Sequence, residues 1–82
     1  MENQIMTFLE GVLHGDHAID GQEEYEFTDV EVKHETEKAW LVPMDASFEK
    51  WFPKSRCELT ADGTLKIPGW LLSKILEEVK SI

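Results

Sequence analysis

From Pro68 to Lys80 apolar residues recur at the period of one buried helical face. Leu71, Leu72, Ile75, Leu76 and Val79 lie one, three or four positions apart. Pro68 suits the first turn, where its missing N–H is unpaired in any helix. The spacing predicts a C-terminal helix. The other end of the chain is patterned more weakly. Met6, Leu9 and Leu13 recur at helical spacing beside Ile5, Phe8 and Val12, but Gly11, Gly15 and Gly21 interrupt them. Residues 1–21 read as a short helix or an adaptable arm, with Met6 an alternative start.

Between these ends the pattern alternates. In residues 23–36, Tyr25 and Phe27 share one face, while Val30 and Val32 share a face of the opposite parity. The phase slips near Thr28-Asp29. One extra residue there, a β-bulge, restores a single apolar face. Residues 38–44, KAWLVPM, form a second run, in which Pro43 marks an edge, a bulge or the strand's end. Asp45-Ala46-Ser47 reads as a hairpin turn, and residues 48–52, FEKWF, as a third strand stopped by Pro53. A short piece from Cys57 to Thr60 leads into Ala61-Asp62-Gly63, a hairpin turn signal, and Thr64 to Ile67 returns as a strand.

Strands first and a helix last argue for an α+β fold. The expected architecture is a small curved antiparallel sheet of three to five strands, packed by the C-terminal helix, with the N-terminal helix or arm beside it. Residues 1–21 are the arm or short helix, and residues 22–82 a single α+β domain. No internal repeat or low-complexity tract divides the chain.

Charge changes the picture. Residues 1–37 hold eleven acids and one base, Lys33, while residues 38–82 hold seven bases and six acids. An acidic front half is thus joined to a nearly neutral module, and the total is −9. Such an imbalance bears on partners and association, not on fold. The 82 residues bury only about 60–65% of their unfolded surface, which leaves a thin stability margin and little room for a deep cleft. The single cysteine, Cys57, excludes an internal disulfide and a multi-cysteine zinc site, and fits a cytoplasmic, reducing setting. No apolar run approaches the roughly 18 residues of a membrane span. The first charges, Glu2 and Glu10, are not the basic start of a signal peptide.

Three stretches carry a resemblance. Glu37-Lys38-Ala39-Trp40-Leu41-Val42, Trp51-Phe52-Pro53-Lys54-Ser55 and Leu65-Lys66-Ile67-Pro68-Gly69-Trp70-Leu71 follow one another in this order. The order is similar to that of a widespread group of small phage and prophage proteins. In that group a strand ends in Trp, an aliphatic residue and Pro-Lys-Ser, and an Ile-Pro-x-Trp-Leu helix start follows. The likeness covers roughly residues 30–76. It implies a common fold and a phage or bacterial cytosol, not a reaction. Group members often carry glutamine after Pro-Lys-Ser, where this chain has Arg56, and the acidic first 20 residues lie outside the likeness.

Each candidate site has a simpler reading beside it. His14, Asp16 and His17 offer imidazole and carboxylate ligands, but beside glycines they read as a solvated loop, and His34 is far along the chain. Cys57 lies near Lys54 and Arg56, which favour a thiolate. A catalytic thiol also needs an oriented base, and none is signalled, so a semi-buried strand cysteine is expected. The carboxylates Asp20, Glu23, Glu24, Glu26, Asp29 and Glu31 show no spacing that selects an acid–base pair. They form a solvated face or, more sharply, an acidic surface for a basic partner or an imitation of nucleic-acid phosphates. Lys50, Phe52, Lys54, Arg56 and Lys66 interleave cations with rings, as a single-stranded nucleic-acid platform requires. Against this, Trp40, Trp51 and Trp70 are expected to supply core, with Trp51 and Phe52 pointing to opposite faces. Lys54, Ser55 and Arg56 are then exposed on the turn after Pro53.

No phosphate loop, nucleophile with its base, or cofactor or metal motif is present, so an enzyme is not expected. The expected function is protein–protein binding by a small phage-type accessory protein. Its acidic half faces a basic surface of another protein, such as a host defence or nucleic-acid enzyme that it inhibits. The alternative is a nucleic-acid-binding module built on the Lys50, Lys54, Arg56 and Lys66 surface. The total charge counts against it, because phosphate neutralisation supplies most non-specific affinity. A third expectation is a homo-oligomer whose N-terminal segment packs on a neighbour, from which a thin-margined domain gains stability.

Overall fold

The computed structural model describes residues 3–81, and Glu2, the first of the early acidic charges, lies outside them. Asn3 opens the first helix. Its side-chain oxygen accepts a 2.9 Å hydrogen bond from the Met6 N–H, satisfying one of the donors a helix start leaves free. Helix α1 runs Gln4–Leu13 and buries Ile5, Met6 and Leu9. It is tied to the rest of the chain, since the Asn3 N–H donates to the Met44 carbonyl at 3.0 Å. Among the described residues six strands follow: β1 (Glu24–Phe27), β2 (His34–Glu35), β3 (Ala39–Pro43), β4 (Glu49–Pro53), β5 (Glu58–Leu59) and β6 (Leu65–Pro68). Helix α2 (Gly69–Lys80) closes the chain.

The fold is α+β, with antiparallel strands and a helix at each end. The strands divide into two three-stranded sheets, ordered β1-β6-β5 and β2-β3-β4. The division explains the phase slip at Thr28-Asp29. The expected bulge is absent there. Strand β1 ends at Phe27, and the chain crosses to the other sheet. Asp29 turns it with a left-handed backbone (φ 55°), a conformation Asp tolerates better than most residues. The Val30 N–H then docks on the Gly63 carbonyl at 3.0 Å, in the turn joining β5 and β6. Gly63 itself has φ +87°, as the Asp-Gly turn demands. A bulge and a strand break leave the same trace in an alternating pattern, so parity alone does not separate them.

Register sets which side chains face inward. The Met44 N–H donates to the Phe48 carbonyl, and the Lys54 N–H to the Lys38 carbonyl, both at 2.8 Å. Antiparallel pairs alternate between bonded and non-bonded types. Pro43–Glu49, Leu41–Trp51 and Ala39–Pro53 are therefore the non-bonded pairs between β3 and β4. The missing N–H of Pro53 points to the free edge of β4. That of Pro43 points past the short end of β2. Neither proline removes a ladder bond, so a five-residue hairpin survives two of them.

In β3, Trp40 and Val42 face inward, and the register places Phe52 opposite Trp40. In the other sheet Phe27, Leu65 and Ile67 face inward. These residues join Ile5, Met6 and Leu9 of α1 and Leu72, Ile75 and Leu76 of α2 in one core. Helix α2 has no side-chain cap at its start. The Gly69 N–H instead donates to the Glu23 carbonyl at 2.7 Å. The approach is so close that a Cβ on Gly69 would lie 1.9 Å from the Asp20 carbonyl oxygen. Among the described residues no helix is long and apolar enough to cross a membrane.

Candidate functional site

With the inner faces filled, chemistry is left to the outer ones, and these differ. The outer face of β1-β6-β5 is charged. Glu26 lies opposite Lys66, and Lys66 opposite Glu58, in one cross-strand row. Glu24 sits two residues before Glu26 on the same face, since alternate strand residues share a side. Glu23 and Asp20 precede them on the loop that receives the start of α2. All six predicted acids, Asp20, Glu23, Glu24, Glu26, Asp29 and Glu31, are exposed. Two of them have local duties. The Asp20 carboxylate accepts from the Gln22 N–H at 2.9 Å, and Asp29 makes the left-handed turn. The four glutamates have no such duty.

The outer face of β2-β3-β4 is apolar. His34, Leu41 and Trp51 form one cross-strand row, flanked by Ala39, Pro43 and Pro53. His34 meets Trp51 edge-on, with ring centroids 6.1 Å apart. Trp51 is 44% exposed. Lys33 and Glu49 pair at one end of this face. Where β3 begins and β4 ends, a depression of about 470 Å³ is lined by Glu37, Lys38, Pro53, Lys54 and Ser55.

Trp51 and Phe52 do point to opposite faces, but the expected assignment is reversed. Phe52 is fully buried and Trp51 is outside. Phe52 therefore cannot stack a base, which removes the only ring from the predicted nucleic-acid set. The reason is register: Phe52 shares its face with Trp40 and Val42, and Trp51 with Leu41 and Pro43. Trp70, also expected in the core, is 41% exposed. On α2 it shares a stripe with Lys74, whose ammonium sits 5.6 Å from the ring centroid. Trp40 alone of the three tryptophans is core, with the Lys54 ammonium 5.3 Å from its ring centroid.

The predicted cations are mostly engaged. Lys50 pairs with Glu78 at 2.7 Å, Lys54 with Glu35 at 2.5 Å, and Lys66 with Glu58 at 3.8 Å. Arg56 is in none of the ion pairs found among the described residues. Lys54, Ser55 and Arg56 form the turn after β4, where Ser55 and Arg56 are exposed and Lys54 is half-buried. Cys57 is buried, and desolvation pushes its thiol from 9.0 up to about 11. Lys54 and Arg56 do not overcome that burial, so the thiol stays protonated and unreactive near neutral pH. His17 is held by α1: its ring stacks on Phe8 at 4.5 Å, and a ring nitrogen lies 2.8 Å from the Phe8 carbonyl oxygen. Among the described residues no group of three or more His, Cys, Asp or Glu side chains is placed to hold a metal ion.

The exposed Trp51 row was missed by the sequence reading. The signal lay in the hairpin: counting back from the Asp45–Ser47 turn pairs Phe52 with Trp40 and Trp51 with Leu41. No family model, curated protein sequence or solved structure matches the chain.

Proposed function

We propose that this protein is a small acidic accessory protein of phage type that acts by binding a basic surface on another protein. One observation supports the reading. Among the described residues, five ion pairs engage Lys33, Lys50, Lys54, Lys66 and Lys80 with Glu49, Glu78, Glu35, Glu58 and Glu77. None of Asp20, Glu23, Glu24, Glu26, Asp29 and Glu31 takes part. Most of the cations are thus used internally, and an exposed acidic surface is left over. Such a surface steers a positively charged partner toward it. A host nucleic-acid or defence enzyme fits the chemistry, because its phosphate-binding groove is basic. Occupying that groove inhibits the enzyme.

The test is an affinity pull-down from bacterial lysate, with and without nuclease. The expected result is a stoichiometric basic protein that survives nuclease treatment. The triple reversal E23K/E24K/E26K is expected to weaken that binding at least about tenfold, because like charges then face each other. Recovery of nucleic acid alone, lost on nuclease treatment, would overturn the reading and move the site to Arg56 and the exposed Trp51.

A further inference from the structure

Resting on the basic partner argued above, we propose that this partner docks as an added strand on the free edge of β1. The segment that docks is extended, with Lys or Arg at two alternate positions, beside Glu24 and Glu26, and an apolar residue between them. Three observations converge. The first is the hydrogen-bond register. The Gly69 N–H donates to the Glu23 carbonyl, and beyond them Tyr25 lies opposite Ile67 and Phe27 opposite Leu65. Bonded and non-bonded pairs alternate in an antiparallel ladder. Glu23–Gly69 is of the bonded type, so Tyr25–Ile67 and Phe27–Leu65 are too. The other side of β6 agrees: the Thr60 N–H donates to the Thr64 carbonyl, so Lys66 bonds to Glu58 of β5 and not to Glu26. The N–H and C=O groups of Glu24 and Glu26 therefore point away from β6, to the open side of the sheet. Among the described residues no turn or loop bonds to them. Two donors and two acceptors stand in a row there, with about 7 Å between the two residues. This is the template that strand addition uses.

The second observation is that the other three edges are blunted. An open edge invites pairing, and folds guard it by shortness, proline or charge. Strands β2 and β5 have two residues each. Strand β4 ends in Pro53, whose missing N–H falls on its open side, and its Glu49 is already paired with Lys33. Strand β1 has four residues and no proline, so charge alone guards it.

The third observation is the sign of that charge, and it selects the occupant. Glu24 and Glu26 are exposed, and neither takes part in an ion pair among the described residues. Lys66, directly opposite Glu26, turns to Glu58 at 3.8 Å. A second copy would set these glutamates against their own kind, which opposes self-pairing. A basic segment meets the reverse. The residues that bond beside Glu24 and Glu26 place their side chains on the same outer face, where Lys or Arg finds an unpaired carboxylate. The residue between them turns to the inner side, beside half-buried Tyr25, on which the Phe8 ring packs at 5.3 Å. An apolar side chain suits that place.

The experiment is an NMR titration of the full chain with the peptide acetyl-Thr-Lys-Val-Lys-Thr-amide, read by backbone amide exchange. In the free protein the Glu24 and Glu26 amides should exchange freely, and those of Tyr25 and Phe27 slowly. With the peptide at about ten times its Kd, exchange at Glu24 and Glu26 is expected to slow about tenfold. The same peptide N-methylated on the backbone of both lysines keeps its charge and loses two donors. It should bind about tenfold more weakly. Acetyl-Thr-Glu-Val-Glu-Thr-amide should bind more weakly still, because like charges then face each other. Glu24 and Glu26 amides already protected in the free protein would overturn the proposal, since the edge is then covered. So would a peptide that leaves them unprotected up to about 10 mM, or an N-methylated peptide that binds as tightly as its parent. These last results leave the basic-partner reading standing, with charge alone holding the partner. That reading falls by the pull-down, in which no added peptide takes part.

Discussion

The two sheets are alike inside and different outside. Each has three short antiparallel strands, and each lays its inner face on the same core. Outward, one presents Glu24, Glu26, Lys66 and Glu58, and the other presents Leu41, Pro43 and Trp51 with His34 at the side. Packing dictates the inner faces, because every side chain there must fill space beside its neighbours. Nothing in the folded chain dictates the outer ones. The difference between them is therefore where binding is best sought: one outer face is charged and the other apolar.

The inner and outer rules can be broken at adjacent residues. Phe52→Ala empties a fully buried site and is expected to cost about 4 kcal/mol. Trp51→Ala, one residue earlier, removes cross-strand contacts to Leu41 and His34 and should cost only about 1 kcal/mol of monomer stability. Urea denaturation of both variants at low protein concentration measures the contrast. Equal losses would mean that Trp51 belongs to the core after all.

A smaller effect tests how the charged sheet is held to its helix. Gly69→Ala drives a Cβ toward the Asp20 carbonyl oxygen and disturbs the bond from the Gly69 N–H to Glu23. The expected cost is about 2–3 kcal/mol, from overpacking plus a weakened hydrogen bond. Gly21→Ala is the comparison, because a Cβ there meets nothing within 4 Å. It should be neutral, or stabilising by about 0.5 kcal/mol through a less free unfolded chain. If the two variants melt alike, the loop at residues 20–23 does not clamp the helix start.

These pairs also show what a sequence can and cannot convey. The C-terminal helix was legible because Leu72, Ile75 and Leu76 repeat on one side with polar residues opposite. Trp70 was misjudged by weighing its size over its position, since the same spacing puts it with Lys74 and Glu77 on the wet side. The β3–β4 hairpin was legible from its turn. Its facing was not, because Ala39-Trp40-Leu41-Val42-Pro43 is apolar on both sides, and only the register to Phe52 separates them. The existence of two sheets was hidden in the step at Thr28-Asp29. The exposure of the six acids was legible, since unpaired carboxylates stay in water. The apolar row was not, because cross-strand neighbours are distant in sequence.

Cys57 offers a test of the shared core. Burial raises its thiol from 9.0 to about 11, so the folded state holds a proton that the unfolded state releases earlier. Between pH 9 and 11 the unfolded chain binds fewer protons, and stability falls as pH rises. The contribution is complete below pH 9 and is worth up to about 2 kcal/mol. The readout is the difference between wild type and Cys57→Ala. The wild-type curve should fall more steeply through that window. Parallel curves would mean that water reaches the thiol.

The smallest expected effect bears most directly on the contrast between the faces. If the acidic sheet is a surplus of unpaired charge, the folded chain repels itself, and screening should stabilise it. Raising NaCl from about 10 mM to 1 M shrinks the Debye length from about 30 Å to about 3 Å. Stability should rise by about 0.5 kcal/mol, a modest gain because the five exposed ion pairs weaken at the same time. In E24K/E26K the repulsion is largely relieved before salt is added, so the gain should shrink or reverse. Trp51→Ala should keep the wild-type response, since it alters the other face and no charge. The order of the three slopes carries the information: wild type and Trp51→Ala together, E24K/E26K below them. If all three coincide, the acids of β1 are not a concentrated surface, and the two sheets differ less than their side chains suggest.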